Sequence, residues 1–116
     1  MDDLLADSEV PVLIKIDVEG HEGAVLHGAQ RTLADRRVAA VLMEVNGSGM
    51  RYGVSDDALL SMMCDHGFKA FSYDPLAREL REWESVKGNA IFVRDMSVVN
   101  DRLKSAKSYR LVNGSI

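Results

Sequence analysis

The sequence predicts an α/β domain in the order β-α-β-α-β-β. Three observations predict it. Short apolar runs with little alternation (Val10 to Val18 and Val38 to Val45) are spaced by segments of helical periodicity. The first of these strands ends in two carboxylates and a glycine, Asp17-Val18-Glu19-Gly20, and a helix pattern follows at once. Two later strand patterns stand close enough in the chain to pair antiparallel.

The elements follow in order. Asp2 to Asp7 suits a helix tail or a loop. Val10 to Val18 reads as a strand with apolar residues on both faces: Val12, Ile14, Ile16 and Val18 on one, Leu13, Lys15, Asp17 and Glu19 on the other. His21 to Arg36 reads as one helix, with Val25, Leu26, Ala29 and Leu33 on its apolar side. Glu22 in its first turn and Arg36 and Arg37 in its last suit the helix dipole. Val38 to Val45 is the second strand, followed by the loop Gly47-Ser48-Gly49. Ser55 reads as an N-cap, opening a helix that carries Leu59, Leu60, Met62 and Met63 and stops at Gly67. Phe68 to Tyr73 is the third strand, turned by Asp74-Pro75, and Leu80 to Trp83 extends a hairpin arm. Asn89 to Arg94 is the fourth strand, Ser97 to Ala106 a short helix and Ser108 to Ile116 a tail.

Composition bounds the function. The 116 residues make one domain at most and can bury a core. Lys and Arg number 14 against 18 Asp and Glu, a net charge of −4 that gives no electrostatic case for nucleic acid or an anionic membrane. The longest purely apolar run, Val38 to Met43, is far too short to span a bilayer. Cys64 is the single cysteine, so no intrachain disulfide forms, and a reducing, cytoplasmic setting is expected. Cys64 near a helix end is expected to pack, and His27 and His66 to lie on the surface.

The chemistry concentrates where the first strand ends. In a parallel α/β sheet, side chains at the carboxyl ends of strands project into the crevice where ligands bind. Asp17 and Glu19 leave the strand there, and Glu44 and Asn46 end the adjacent one. Each has a structural alternative. Asp17 or Glu19 can cap the helix, Glu44 can pair with Lys15 on the neighbouring strand, and Asn46 can make a turn. Glu22 suits the helix dipole better than catalysis, and His21 an exposed helix start better than a base. Gly20 is expected to permit the tight turn from strand to helix. A group of Asp17, Glu19, His21 and Glu44 would suit a hard divalent ion, but nothing in the sequence supplies the nucleophile or phosphate loop of a metal-dependent hydrolase, and no metal is assigned. Trp83 is expected to pack.

Leu13-Ile14-Lys15-Ile16-Asp17-Val18-Glu19-Gly20-His21-Glu22, continued by Val25-Leu26-His27-Gly28-Ala29, resembles the signature of the FkbM-family methyltransferases. Val41-Leu42-Met43-Glu44-Val45, Leu59 to Phe68 and Gly88 to Val93 follow in the family's order, so the similarity spans about residues 2 to 95. The resemblance implies transfer of a methyl group from S-adenosylmethionine to a hydroxyl of a small molecule or sugar. That reaction is an in-line attack that requires alignment and removal of the hydroxyl proton. For such a reaction, position in the fold makes Asp17, Glu19 and Glu44 the candidates for catalysis, Asp17 a candidate cofactor contact, and His21, Glu22 and Asn46 candidate substrate contacts, although the resemblance itself lends His21 no support. The resemblance also implies a partial Rossmann-like sheet with only the last strand antiparallel, in the spatial order first, second, last, third.

The family's earlier strands carry a glycine loop and an acidic residue that grip the cofactor, and nothing in this sequence matches them. The chain is therefore expected to be a single domain, 1–116, equivalent to the carboxyl-terminal part of a methyltransferase domain, and to hold cofactor weakly on its own. Without a first strand beside it, Val10 to Val18 is expected to be an unpaired apolar edge through which the chain self-associates. The alternative to an enzyme is a non-catalytic domain that persists through that edge.

Overall fold

The computed structural model describes residues 1–83, 88–108, 110–111 and 114–115. Five strands form one open mixed sheet: β1 (Leu13–Ile16), β2 (Ala40–Val45), β3 (Lys69–Asp74), β4 (Glu79–Glu82) and β5 (Gly88–Val93), in the spatial order β1-β2-β5-β3-β4. β1 and β2 are parallel, with Leu13 opposite Ala40 and Ile16 opposite Met43. β5 runs antiparallel to both its neighbours, pairing Val41 with Phe92 and Phe71 with Ile91. The departure from expectation is β4. It is a true strand, antiparallel to β3, so two strands run against the parallel set. The turn between β3 and β4 is made by Asp74, whose Oδ1 accepts from the amides of Leu76 and Ala77.

The helices are α1 (Glu22–His27), α2 (Gln30–Ala34), α3 (Asp56–Asp65) and α4 (Met96–Ser105). α3 starts and stops as its sequence predicts: Ser55 Oγ accepts from the Ala58 amide at 3.1 Å, and Gly67 follows at φ +87°. α4 is capped by Asp95, which accepts from the amides of Ser97 and Val98.

Two expectations are corrected. The strand expected over Val10 to Val18 is only four residues long. The single helix expected from His21 to Arg36 is broken between His27 and Gln30, and the cause lies at the amino terminus. In an unbroken helix the Thr32 amide would donate to the Gly28 carbonyl. Asp2 stands between them. Its amide donates to the Gly28 oxygen (3.1 Å), while its carboxylate accepts from the amides of Arg31 and Thr32 (both 2.8 Å) and from the Thr32 hydroxyl (2.7 Å). An inserted polar group of this kind is an established way of splitting a helical ladder.

The core lies between the sheet and α1, α2 and α3. Ile14, Ile16, Val41, Met43, Val45 and Phe92 meet Leu26, Leu33, Leu59 and Met63 there, and Trp83 packs at its margin as expected. The opposite face carries Leu13, Ala40, Ile91, Tyr73 and Leu80 along an apolar groove of about 220 Å³ beneath Val99 and Leu103 of α4. No residue of α4 is buried, and Leu13 at the edge is 58% exposed. No helix among the described residues is long and apolar enough to cross a membrane. The tail expected from Ser108 lies partly outside the described residues. Within it, Arg110–Leu111 and Gly114–Ser115 form a two-stranded antiparallel pair.

Candidate functional site

The site begins where β1 stops. From Asp17 the chain climbs into α1 through two residues of left-handed backbone, Glu19 (φ +50°) and Gly20 (φ +103°). The second conformation is one that only glycine adopts without strain. The turn is tied by Glu22, whose Oε2 accepts from the Gly20 amide at 2.9 Å. Glu22 is only 2% exposed. Its role is thus more specific than the expected favourable charge near a helix dipole: a buried carboxylate closes the turn that aims Asp17 and Glu19.

The loop after β2 folds onto this turn. Asn46 Oδ1 accepts from the Ser48 amide at 2.9 Å, the Asp56 carboxylate accepts from the Gly47 amide at 3.1 Å, and a 3-10 segment runs from Ser48 to Tyr52. Glycine makes the contact possible at two points, Gly20 and Gly23, and a third, Gly49, lets the loop close on itself. A Cβ on Gly20 would lie 2.9 Å from the Ser48 carbonyl oxygen, one on Gly23 2.9 Å from Val54 Cγ2, and one on Gly49 2.6 Å from the Val54 carbonyl oxygen. The stretch Gly20-His21-Glu22-Gly23 is therefore a docking surface for the loop. Above it the His21 ring stacks on Tyr52, ring centres 4.0 Å apart and planes tilted by 31°.

Each sequence-identified residue can now be placed. Asp17 is exposed and within 3.9 Å of Lys15 Nζ. Lys15 is thus paired along its own strand, and the expected pairing with Glu44 does not form; Glu44 has no ion pair among the described residues. Glu44 is half-buried on β2, opposite Asn89 of β5. Since Ile16 lies opposite Met43, Asp17 and Glu44 stand one residue beyond that pair on adjacent chains, at the same end of the sheet. Glu19 and His21 are exposed, and Asn46 makes a turn. Asp17, Glu19, His21 and Glu44 do not gather as a metal-binding group; no group of three or more His, Cys, Asp or Glu is so placed among the described residues. Cys64, expected to pack, is exposed instead.

Sequence reasoning did not find Tyr52 or Val54. The signal was present: Tyr52 lies within Gly47-Ser48-Gly49-Met50-Arg51-Tyr52-Gly53, whose glycines mark a tightly folded loop. Only the structure shows that it closes on α1.

The Methyltransferase FkbM domain model matches residues 1–70, a span that holds β1, the turn, the docked loop and α3. The chain belongs to the FkbM methyltransferase family. The match covers the whole carboxylate-bearing end of this FkbM domain and stops at the start of β3. No curated protein and no solved structure matches the chain.

The residues present do not form a cradle for the family's methyl donor. The motif glycines Gly20 and Gly23 face Ser48, Tyr52 and Val54 of the same FkbM chain rather than open space. Asp17 lies within 3.9 Å of Lys15 Nζ, and the given sequence shows no glycine loop of the cofactor-gripping kind.

Proposed function

We propose that these 116 residues supply the acceptor side of an FkbM-type O-methyltransferase site, with S-adenosylmethionine as the family's donor and a hydroxyl of a small molecule or sugar as the acceptor. The observation that carries this reading is the meeting of the family match with the topology. The matched segment includes the carboxylates at the carboxyl ends of the parallel pair β1 and β2, the end at which α/β sheets bind ligands. The mixed α/β sheet, with β5 reversed beside β2, supports the reading at the level of fold class, while β4 adds a second reversed strand that the resemblance does not imply.

In this reading Asp17 and Glu19 are the groups able to accept a hydrogen bond from the hydroxyl and then its proton, because they are exposed at the mouth of the turn. Glu44, half-buried beside them, orients the acceptor. His21 contacts the acceptor at the rim, while Asn46 and Glu22 shape the site from behind through the bonds that hold the loop and the turn. Held to its own residues, the chain binds S-adenosylmethionine weakly or not at all, and its activity alone is correspondingly low.

Two measurements test this. Calorimetric titration of the chain with S-adenosylmethionine is expected to show no micromolar binding; a micromolar constant would overturn the cofactor part. Titration with simple polyols and monosaccharides, followed by amide resonances, is expected to move Val18 to Glu22 and Asn46, with the shifts reduced in D17N and E19Q. Shifts elsewhere, or none, would overturn the acceptor part.

A second reading rests on a separate observation: among the described residues β1 is an edge of the sheet, and Leu13 on it is 58% exposed beside the apolar groove. Edges of this kind recruit another strand. Two copies pairing β1 antiparallel about a two-fold axis would join their sheets and cover Leu13. Light scattering is expected to give a dimer that L13K converts to a monomer. A wild-type monomer at high concentration would count against it.

A further inference from the structure

The amino ends of the parallel strands, remote from Asp17 and Glu19, hold a second polar hollow. Arg94 follows β5 directly, and its amide donates to the Ala39 carbonyl at 2.9 Å, which fixes it beside the start of β2. With Arg36, beyond the end of α2, and His66 and Gly67, beyond the end of α3, it lines a cavity of about 380 Å³.

The charges around this cavity are unbalanced. Arg94 is held rigidly: its guanidinium donates to the carbonyls of Leu33 and Asp35 and lies over the Phe68 ring, 4.2 Å from the ring centre. Its Nε is buried and has no hydrogen-bond partner. Arg36 and His66 make no side-chain hydrogen bond or ion pair among the described residues. The nearby Asp35 carboxylate is engaged chiefly by Arg37, through Nε at 3.0 Å and Nη2 at 2.7 Å, and offsets the charge of Arg94 only in part. Asp65 alone brings a carboxylate to the cavity wall. Burial first, and then the Arg36 guanidinium, lower the pKa of Arg94, the second effect being like-charge repulsion across the hollow. At the end of α3 the Met63 and Cys64 carbonyls accept from the amides of His66, Gly67 and Phe68.

We propose that this hollow binds a small oxyanion of the phosphate type, with Arg36 and His66 at its sides and Arg94 as its floor. A guanidinium matches such an anion in both charge and geometry. An anion seated between Arg36 and Arg94 relieves their repulsion. The site is independent of the methyl-transfer reading, because it lies at the other end of the sheet. Two sources supply this chemistry: free phosphate, and the phosphate group of a monoester.

The test is a nuclear magnetic resonance titration of the whole chain with inorganic phosphate, and in parallel with ribose 5-phosphate, each against sodium chloride at matched ionic strength. Saturable shifts of the Gly67 amide and the Arg94 Nε–H group are expected. The double variant R36Q/H66Q should weaken binding at least tenfold without moving the melting temperature, and R36E alone should do the same if the double variant melts early. Binding of both ligands identifies free phosphate as sufficient, whereas binding of ribose 5-phosphate alone identifies a monoester. Shifts that fail to saturate, that chloride reproduces, or that survive in the folded variants would overturn the proposal.

Discussion

The Asp2 carboxylate accepts from both the amide and the hydroxyl of Thr32, at 2.8 and 2.7 Å, across 30 residues of sequence. One residue of the amino-terminal segment thus does for α2 what a local cap does for α3, and does it by displacing the Gly28 carbonyl from the helical ladder. Replacing Asp2 by Ala removes acceptors for two buried or half-buried donors at once. D2A is expected to lower the melting temperature by roughly 4–8 °C, the shift that loss of one cap brings in a domain of this size. Thermal denaturation followed by circular dichroism checks it, and an unchanged midpoint would show that water replaces the cap at no cost.

The same contact makes stability pH-dependent. The Thr32 hydroxyl first, and then the amides of Thr32 and Arg31, lower the Asp2 pKa from 3.8 to about 2. Asp35 falls to about 2 as well, chiefly through the side chain of Arg37. A carboxyl whose folded pKa is depressed contributes stability that is present above its unfolded pKa and lost as pH falls through the folded one. The wild-type midpoint is therefore expected to hold down to about pH 4 and to fall between about pH 4 and 2. D2N keeps an acceptor but has no such charge to lose, so its midpoint should fall less over that window. Melting curves at half-unit intervals for both proteins decide this, and parallel profiles would refute it.

These contacts also show why some of the molecule was legible in the sequence and some was not. α3 was readable because both its ends are local: Ser55 caps it and Gly67 terminates it. β2 was readable because its apolar run hardly alternates, as befits a central strand in which Ala40, Val41, Met43 and Val45 are all buried. The division of α1 from α2 was not, because the group that makes it, Asp2, is remote in sequence and local periodicity runs straight through Gly28 and Ala29. β4 was legible only as a hairpin arm, since Glu79, Arg81 and Glu82 are exposed and carry little hydrophobic signal. At the site, the motif located Asp17, Glu19 and Glu44 at one end of the sheet. It did not show that Lys15 turns to Asp17, nor that the motif glycines receive a loop; both depend on side-chain directions that composition does not carry.

The docking of that loop gives a third prediction. G20A adds a Cβ 2.9 Å from a backbone oxygen on a residue at φ +103°, where neither side can yield cheaply. It is expected to cost about 1–3 kcal/mol by chemical denaturation. G23A meets only the side chain of Val54. It should cost less, and V54A should restore much of the loss, because the two positions touch and their effects are not additive. Additive effects in the G23A/V54A cycle would mean that the loop does not rest on Gly23 in solution.

Glu22 separates holding the turn from carrying charge. Its Oε2 accepts from the Gly20 amide, and the carboxylate is almost wholly buried. E22Q keeps an acceptor oxygen at the same distance and is expected to fold with little loss. E22A leaves the Gly20 amide buried without its partner, which costs about 1–3 kcal/mol. It also frees the backbone on which Asp17 and Glu19 stand. Amide exchange at Gly20 should therefore rise steeply in E22A and stay near wild type in E22Q. Equal exchange in the two variants would show that the charge of Glu22, rather than the hydrogen bond it accepts, keeps the turn closed.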